Sequence, residues 1–234
     1  MNYPLREGII EFIREKKTEK LRFALTELMN NAPRRIRDAE MNILGSHDTV
    51  RIITALGGES PDGFSNDELS RLRMSEAQLK RAIKRLKAAY TVISTLPGIP
   101  CIYYGDEALT EGYSDPFNRR TYPWGEENKE LLDHYKTIGG IRRQNEVYSH
   151  GEFRLLHLTI DILLFVRYNS IGSAYYTLMN NSEDDLNVSF SSPAKSLTDG
   201  LYFNTLKLAP EESRIFKLDR SSTIDLSLQK GNAI

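Results

Sequence analysis

Two apolar runs that each end abruptly in polar and acidic residues constrain most strongly what this chain can fold into. The first run ends in the sequence GSHDT at residues 45–49, and the second ends in YGDE at residues 104–107. A segment with helical spacing of apolar residues separates them. Successive strands of a parallel α/β barrel show this pattern, because the carboxyl ends of the strands carry the functional side chains. We therefore expect His47 and Asp48 to lie at an open strand end, outside any core.

The composition excludes several classes of partner. The chain has 234 residues, of which 40% are hydrophobic, enough for one large or two small domains. Lys and Arg total 31 against 32 Asp and Glu, a balance that indicates neither a nucleic-acid nor a membrane partner. No apolar segment is long enough to span a bilayer, and the first residues lack the apolar region of a signal peptide. We expect a cytoplasmic protein in which the single Cys101 is a small buried residue.

Helical spacing dominates the first 145 residues. Apolar residues after Pro4 predict a first helix, and a second is expected from about Thr18. Ser75 and Gln78 have the spacing of a capping box, which predicts the start of a long helix with a solvated basic face. A last helix is expected over about 128–145, although the Gly-Gly pair at 139–140 costs roughly 1 kcal/mol per residue within it.

The pattern changes at Gly151. Short β-type runs follow one another up to residue 218, separated by turn residues such as those at 180–182 and 198–200. Strands that follow a series of β–α units predict a separate antiparallel domain, a β-sandwich. We therefore divide the chain into an α/β segment over 1–148, a sandwich domain over 149–220 and a polar, partly ordered tail over 221–234.

A set of short motifs resembles one enzyme family in the same order and spacing. The motifs are NYP at 2–4, LGSHDT at 44–49, LPGIPCIYYGDE at 96–107, DPFNRR at 115–120 and PW at 123–124. They resemble the α-amylase family of glycoside hydrolases, in its neopullulanase, cyclomaltodextrinase and maltogenic-amylase branch. The resemblance extends to about residue 145, and the β-rich remainder is similar to the C-terminal domain of the family by position and pattern. The sequence SHDT at 46–49 favours this branch over the oligo-1,6-glucosidases, which usually carry NHDQ.

The resemblance implies a retaining mechanism with three carboxylates. An Asp nucleophile after the fourth barrel strand and a Glu acid/base after the fifth flank the scissile bond. A third carboxylate, after the seventh strand, binds sugar hydroxyls at the cleaved residue and favours the distorted, oxocarbenium-like ring. Asp48 matches this transition-state-stabilising carboxylate, and His47 matches the adjacent hydroxyl-binding histidine.

Further sugar-binding candidates follow from the same resemblance. Asp115 and Arg119 match an Asp and an Arg that contact glucose units further along the non-reducing side. A simple salt bridge within the loop is an equally weighted interpretation of that pair. Tyr3, in the segment that matches the end of the sixth strand, is a third candidate. Asp106 and Glu107 are expected to shape their loop and not to catalyse.

Both motifs that would carry the nucleophile and the acid are absent from the sequence. Because NYP matches the end of the sixth strand, only about three of the eight strand–helix units are represented. We expect the C-terminal part of a TIM (β/α)8 barrel followed by the sandwich, with open strand edges and an exposed apolar face. Such a chain should be inactive alone. Its partners would be the missing N-terminal half of the barrel and an α-glucan or maltooligosaccharide, and a homo-oligomer is compatible with the pattern. No cofactor or metal site is expected, apart from calcium in the missing part.

Two alternatives belong to other functional classes. The β-rich segment could serve as a carbohydrate-binding or assembly module, although no exposed aromatic row stands out in its sequence. The chain could also be a catalytically silent relative of the amylases. The retained His47, Asp48 and Arg119 argue against that second alternative.

Overall fold

The computed structural model describes residues 1–31, 33–170, 172 and 174–229. Its first part is helical with two short strands, and its second part is a β-sheet. In the first part, the elements are α1 (Tyr3–Glu15), α2 (Glu19–Asn30), α3 (Arg34–Ala39), β1 (Met41–Ile43), α4 (Ile52–Gly57), α5 (Asn66–Arg71), α6 (Glu76–Thr95), β2 (Ile99–Cys101), α7 (Lys129–Gln144) and α8 (Val147–His150). In the second part, they are β3 (Glu152–Leu158), β4 (Ile162–Tyr168), β5 (Ala174–Asn180), β6 (Asp185–Ser196), β7 (Tyr202–Leu208), β8 (Ser213–Leu218) and β9 (Ile224–Gln229).

The two strands of the first part lie side by side and point the same way. β1 pairs with β2 in parallel, with Met41 opposite Ile99. On the other side of β1, the backbone N–H of Asn2 donates to the carbonyl of Met41 at 2.8 Å. Three consecutive backbone segments are thus adjacent, as expected for the last units of a barrel. Met41 and Ile99 are exposed, and Cys101, which we predicted to be buried, is only half-buried because β2 has no further strand beside it in the described residues.

The long helix α6 is the central element of the first part. Its capping box forms as predicted: Gln78 donates its backbone N–H to the Ser75 hydroxyl and accepts the Ser75 N–H at 2.8 Å. Leu86 of the helix is buried in an apolar cluster that includes residues of α1 and α4, and the Tyr90 ring stacks on Tyr135 of α7 with centroids 3.7 Å apart. Helix α7 runs unbroken through its Gly-Gly pair. Burial of the neighbouring apolar side chains offsets the low helix propensity there.

The sheet of the second part packs directly on the end of α6. Arg167 of β4 is buried and donates to the carbonyl of Thr95 at 3.0 Å, while Thr177 of β5 donates to the Thr95 hydroxyl at 2.9 Å. Burial lowers the pKa of Arg167 to about 10. Phe165 and Ile215 from the sheet belong to the same apolar cluster as the helices. The two parts therefore share one core.

The antiparallel sheet has seven strands and folds over on itself. The order is β3-β4-β5-β8-β6-β7, with β9 pairing to β6. The first half of β6 pairs with β7 and β9, and its end pairs with β8 through Lys195 and Ser196 and again with β7 through Ala194 and Lys195. A register shift between Ser189 and Ala194 separates these two stretches. The strand thus belongs to both layers of the predicted sandwich, and a second apolar cluster with Leu164, Val188 and Phe216 fills the space between them.

The predicted tail is different in the structure. Strand β9 occupies residues 224–229 and pairs with β6 from Asp185 to Phe190. Ile224, Leu226 and Leu228 alternate with polar residues, and these three side chains pack against the second apolar cluster. This alternation is a strand signal that the polar composition of the segment obscured. The end of the predicted tail, 230–234, lies outside the described residues.

One buried acid joins the two parts of the molecule electrostatically. Glu211, in the turn between β7 and β8, accepts from the Nε atoms of both Arg81 and Arg85 of α6, each at 2.8 Å. Arg85 also donates to the carbonyl of Leu56 at 2.7 Å. Glu183 is a second, exposed partner of Arg81 at 2.7 Å. The ion pairs of Glu211 raise the pKa of Arg81 above its usual value.

Removal of the Glu211 charge should destabilise the chain far more than removal of its surface counterpart. Glu211→Gln leaves Arg85 buried without its anion, so we expect the free energy of unfolding to fall by about 3 kcal/mol. Glu183→Gln removes an exposed partner of the same Arg81 and should cost less than about 1 kcal/mol. Urea unfolding followed by circular dichroism measures both. Equal losses would contradict the buried role of Glu211.

Two helical glycines should respond oppositely to the same substitution. A Cβ at Gly140 of α7 meets no atom within 4 Å, so Gly140→Ala should raise the unfolding free energy by roughly 1 kcal/mol. A Cβ at Gly8 of α1 would lie 2.7 Å from the backbone of Leu21, so Gly8→Ala must push α1 and α2 apart and lower the melting temperature. Thermal unfolding of both variants tests the pair. A Gly8→Ala protein as stable as the wild type would show that the helices do not pack this closely.

Candidate functional site

Two buried side chains form hydrogen bonds with the backbone of the loop at 44–50, which follows the end of β1. Arg6 of α1 donates from Nε to the carbonyl of Leu44 at 2.6 Å and from Nη2 to that of Val50 at 3.1 Å. Asn118 donates from Nδ2 to the carbonyls of His47 and Thr49 at 2.8 and 2.9 Å. Both donors are buried. These bonds fix the backbone on either side of Asp48 and preorganise its side chain.

The structure brings together three of the predicted site residues, Tyr3, His47 and Asp48. Nε2 of His47 lies 3.0 Å from Oδ1 of Asp48, and the Tyr3 hydroxyl donates to Oδ2 of the same carboxylate at 3.3 Å. The side chains of His47 and Asp48 are 53% and 55% exposed. The pair therefore faces solvent at the strand end. A carboxylate held between a phenol and an imidazole in this way can accept hydrogen bonds from a polyhydroxylated ligand.

The other two predicted residues form an ion pair with each other. Nε of Arg119 lies 2.5 Å from Oδ1 of Asp115, and both side chains are exposed. The structure thus contains the salt bridge that was the alternative interpretation of this pair. Asn118, immediately before Arg119, contacts the backbone of His47, so the segment 115–119 lies beside the loop of Asp48. The contact of Asp115 and Arg119 with sugar stays a prediction.

A buried charge pair that the sequence did not reveal lies under the site. The guanidinium of Arg51 is fully buried, lies over the rings of Tyr103 and Tyr104 at 4.3 and 4.6 Å, and donates from Nη1 to the Tyr104 carbonyl. Its Nη1 is 3.6 Å from Oδ1 of Asp106. A Cβ on Gly45 would lie 2.3 Å from Oδ2 of Asp106. Only glycine at that position lets the carboxyl group pack against the start of the loop.

Burial raises the pKa of Asp106 to about 7, even though Arg51 acts in the opposite direction. The nearby Glu107 adds to the rise. Asp106 therefore changes charge near neutrality without access to a ligand, since its side chain is enclosed. Its place under Gly45 agrees with the expected role in shaping the loop. The sequence signal was the acidic pair at the end of the second apolar run, but nothing in it indicated a contact with Gly45 or Arg51.

Comparison with known proteins identifies the family. The description "Alpha amylase, catalytic domain" matches residues 1–139, more than half of the chain. The chain belongs to the α-amylase family of glycoside hydrolases. Amylopullulanase of Thermoanaerobacter thermohydrosulfuricus is 37% identical over 179 residues, which are 71% of this chain and 12% of that protein. Cyclomaltodextrinase of Thermoanaerobacter pseudethanolicus is 32% identical over 186 residues, which are 78% of this chain and 28% of that protein.

Solved structures of α-amylase family enzymes share the fold. Maltogenic amylase from S. marinus superimposes with a TM-score of 0.73 at 26% identity, covering 93% of this chain and 28% of that enzyme. The α-amylase of Geobacillus thermoleovorans complexed with acarbose gives a TM-score of 0.73 at 22% identity, covering 94% of this chain and 47% of that enzyme. The chain thus spans less than half of these relatives. Both superpositions include the β-sheet, which confirms the predicted order of a partial barrel and a β domain.

Among the described residues, no group of three or more His, Cys, Asp or Glu side chains could hold a metal ion. In the same part of the chain, every helix is too short or too polar to cross a bilayer.

Folding should depend on pH through Asp106 with a defined sign. An unfolded carboxyl group titrates near pH 4, so between about pH 4 and pH 7 the folded chain holds a proton that the unfolded chain has lost. This stabilisation is present in full below the unfolded pKa and is lost as pH rises through about 7. Through this group, urea unfolding should give a free energy about 2 kcal/mol lower at pH 8 than at pH 5.

The amide variant isolates this contribution from those of other groups. The Asn side chain of Asp106→Asn stays neutral at every pH. This variant should therefore lack the part of the fall in unfolding free energy between pH 5 and pH 8 that comes from Asp106. Asp133→Asn changes an exposed carboxylate of α7 and should keep the pH dependence of the wild type. Parallel curves for the wild type and Asp106→Asn would contradict the raised pKa.

Proposed function

We propose that this chain supplies the Asp48 side of the sugar site in an α-glucan-cleaving, retaining glycoside hydrolase. The observation that carries the proposal is the exposed His47–Asp48 pair, held on a preorganised loop at a parallel strand end in a chain of the α-amylase family. The names of the relatives, amylopullulanase and cyclomaltodextrinase, favour α-linked glucose polymers or rings as substrates.

In the proposed reaction, Asp48 acts on the ring that is cleaved. Positive charge develops on that ring only in the transition state, so a fixed anion lowers the barrier without an equal gain in ground-state binding. His47 would donate to a hydroxyl of the same ring, and Tyr3 would hold Oδ2 of Asp48 in place. Asp115 and Arg119 would contact glucose units beyond it.

The proposed reaction also needs a nucleophile and a general acid from elsewhere. A retaining enzyme places two carboxyl groups about 5 Å apart across the scissile bond. We assign them to the barrel half that this sequence does not contain, so that Asp48 completes a composite site. The exposed Met41 and Ile99 of the two parallel strands are the surface that this half would cover. Alone, the chain would bind sugar without cleaving it.

Two assays test the proposal. The purified chain should give no turnover of cyclomaltodextrin, pullulan or starch, and clear turnover would refute its inactivity. A chimera in which this chain replaces the matching segment of the T. pseudethanolicus cyclomaltodextrinase should hydrolyse cyclomaltodextrin. In that chimera, Asp48→Asn should lower kcat by about 100-fold or more, because an anion that acts in the transition state is lost.

A surface carboxylate provides the control for the chimera. Asp67→Asn changes an exposed residue of α5 that pairs with Arg71 at 2.9 Å, and it should leave kcat unchanged. If Asp48→Asn proves as active as Asp67→Asn, Asp48 has no part in the reaction.

The carbohydrate-binding alternative for the β domain has less support. Tyr176 is buried and stacks on Phe216 at 5.4 Å, and Tyr175 packs against Tyr148 at 5.9 Å. Among the described aromatic residues of the β domain, Tyr202 is the exposed one, with Lys195 over its ring at 5.7 Å. One exposed ring offers little surface for a sugar chain. A cytoplasmic location and a homo-oligomeric state remain predictions.

A further inference from the structure

Trp124 is the most exposed large apolar side chain in the described part of the protein, with 82% of its surface accessible. It lies at the second position of a tight turn in which the N–H of Glu126 donates to the carbonyl of Pro123 at 3.1 Å. Gly125 follows with φ of 83°, the conformation that a type II turn requires at its third position. The turn therefore presents the indole outward in a defined way.

A second aromatic ring supports the indole. The ring of Tyr122 lies 4.5 Å from that of Trp124, at an interplanar angle of 50°. The start of the segment is anchored at Arg120, since the Tyr104 hydroxyl donates to the Arg120 carbonyl at 2.9 Å and the Arg120 side chain donates to the Ser70 carbonyl at 2.7 Å. We call Tyr122 and Trp124 the aromatic platform. An exposed tryptophan that is held by a turn and a neighbouring ring is a surface prepared for contact.

Pro123, which lies between the two platform residues in the chain, lines the groove that contains Arg119. This open groove, of about 1040 Å³, is lined by Arg119 and Pro123 together with charged residues of both signs, among them Arg73, Glu111 and Glu127. Pro123 joins Tyr122 to Trp124 in the chain. The groove therefore extends from Arg119 to the residue that separates the two rings in the chain. Charges of both signs can donate and accept hydrogen bonds, which suits a neutral, hydroxyl-rich ligand better than an ion.

We infer that the aromatic platform binds glucose units of an α-glucan chain that extends from the Arg119 groove. The C–H groups on one face of a glucose ring pack against an indole, while its hydroxyls reach the charged groups of the groove. The inference rests on the proposed function, since it takes its ligand from the α-glucan assigned to Asp48. It adds a binding contact outside the five predicted site residues.

The single tryptophan makes the test direct. Trp124 is the only tryptophan among the 234 residues, so the intrinsic indole fluorescence of the whole chain reports on this position alone. Titration of the purified chain with maltoheptaose should change the intensity or the emission maximum in a saturable way. Tyr122→Ala should weaken the apparent affinity by about five-fold, because the supporting ring contact is lost. No saturable change up to about 10 mM sugar, the weak limit of specific binding, would overturn the inference.

Matched controls separate a specific contact from a general one. Cellohexaose, a β-linked glucan, should produce no saturable change, and an equal response to it would overturn the assignment to α-glucan. Tyr202→Ala removes an exposed tyrosine of the β domain and should leave the titration as in the wild type. An emission maximum that shifts on dilution without sugar would assign the platform to contact between copies of the chain and also overturn the inference.

The outcome is independent of catalysis by Asp48. If maltoheptaose causes no fluorescence change while the chimera shows Asp48-dependent turnover, the inference about the aromatic platform alone is overturned. A saturable, α-specific response without any such turnover would support the platform and count against the role of Asp48.

Discussion

The close contact between the loop of the first strand and the acidic turn after the second is the constraint on which the site depends. Gly45 and the carboxyl group of Asp106 approach so closely that no side chain would fit between them. The buried Arg51, which packs against two tyrosine rings, compensates part of the charge of Asp106. This contact joins the carboxyl ends of β1 and β2 below the surface. His47 and Asp48 can be exposed and still be held, because the backbone beneath them is buried and hydrogen-bonded.

In the loop of Asp48, the side chains are exposed, whereas hydrogen bonds to the backbone keep the loop ordered. The carbonyls around Asp48 accept from Arg6 and Asn118, which come from a helix before the loop and a turn far after it. A substitution at either donor would therefore act on Asp48 through the backbone, without contact with ligand. Trp124 is similar: its side chain is almost fully accessible, while a turn and the neighbouring Tyr122 ring hold it in place. Binding surfaces of this kind need rigid support more than they need their own burial.

Helix α6 connects the part that carries the site to the β domain. Its C-terminal end meets Arg167 and Thr177 of the sheet, and its N-terminal half meets Glu211. Polar and charged side chains this deeply buried are stable only when they are hydrogen-bonded or paired, so each contact holds the two parts in one orientation. The apolar cluster that runs through both parts has the same effect. The β domain is thus part of the support of the site through α6.

Several features could be predicted because their physical causes are local. The capping box of α6 and the helical spacing of α1 depend on a few neighbouring residues, and the ordered set of short motifs predicted the family. Strand β9 was missed because its alternation is short and its composition polar, so its pairing with β6 decides its structure. Cys101 is half-buried because burial of a strand residue depends on the neighbouring strand.

The sequence by itself determined the order of the units, the family and the exposed pair His47–Asp48. Those signals are periodicities and motifs, which need no knowledge of distant residues. Only the tertiary structure revealed the contact between Gly45 and Asp106 and the hydrogen bonds from Arg6 and Asn118 to the loop of Asp48. It also revealed the buried ion pair of Glu211 with Arg85 and the course of β6 through both layers. Each of these joins residues that are far apart in the chain. The free energy of such contacts comes from burial and charge pairing in three dimensions, and no local pattern encodes it.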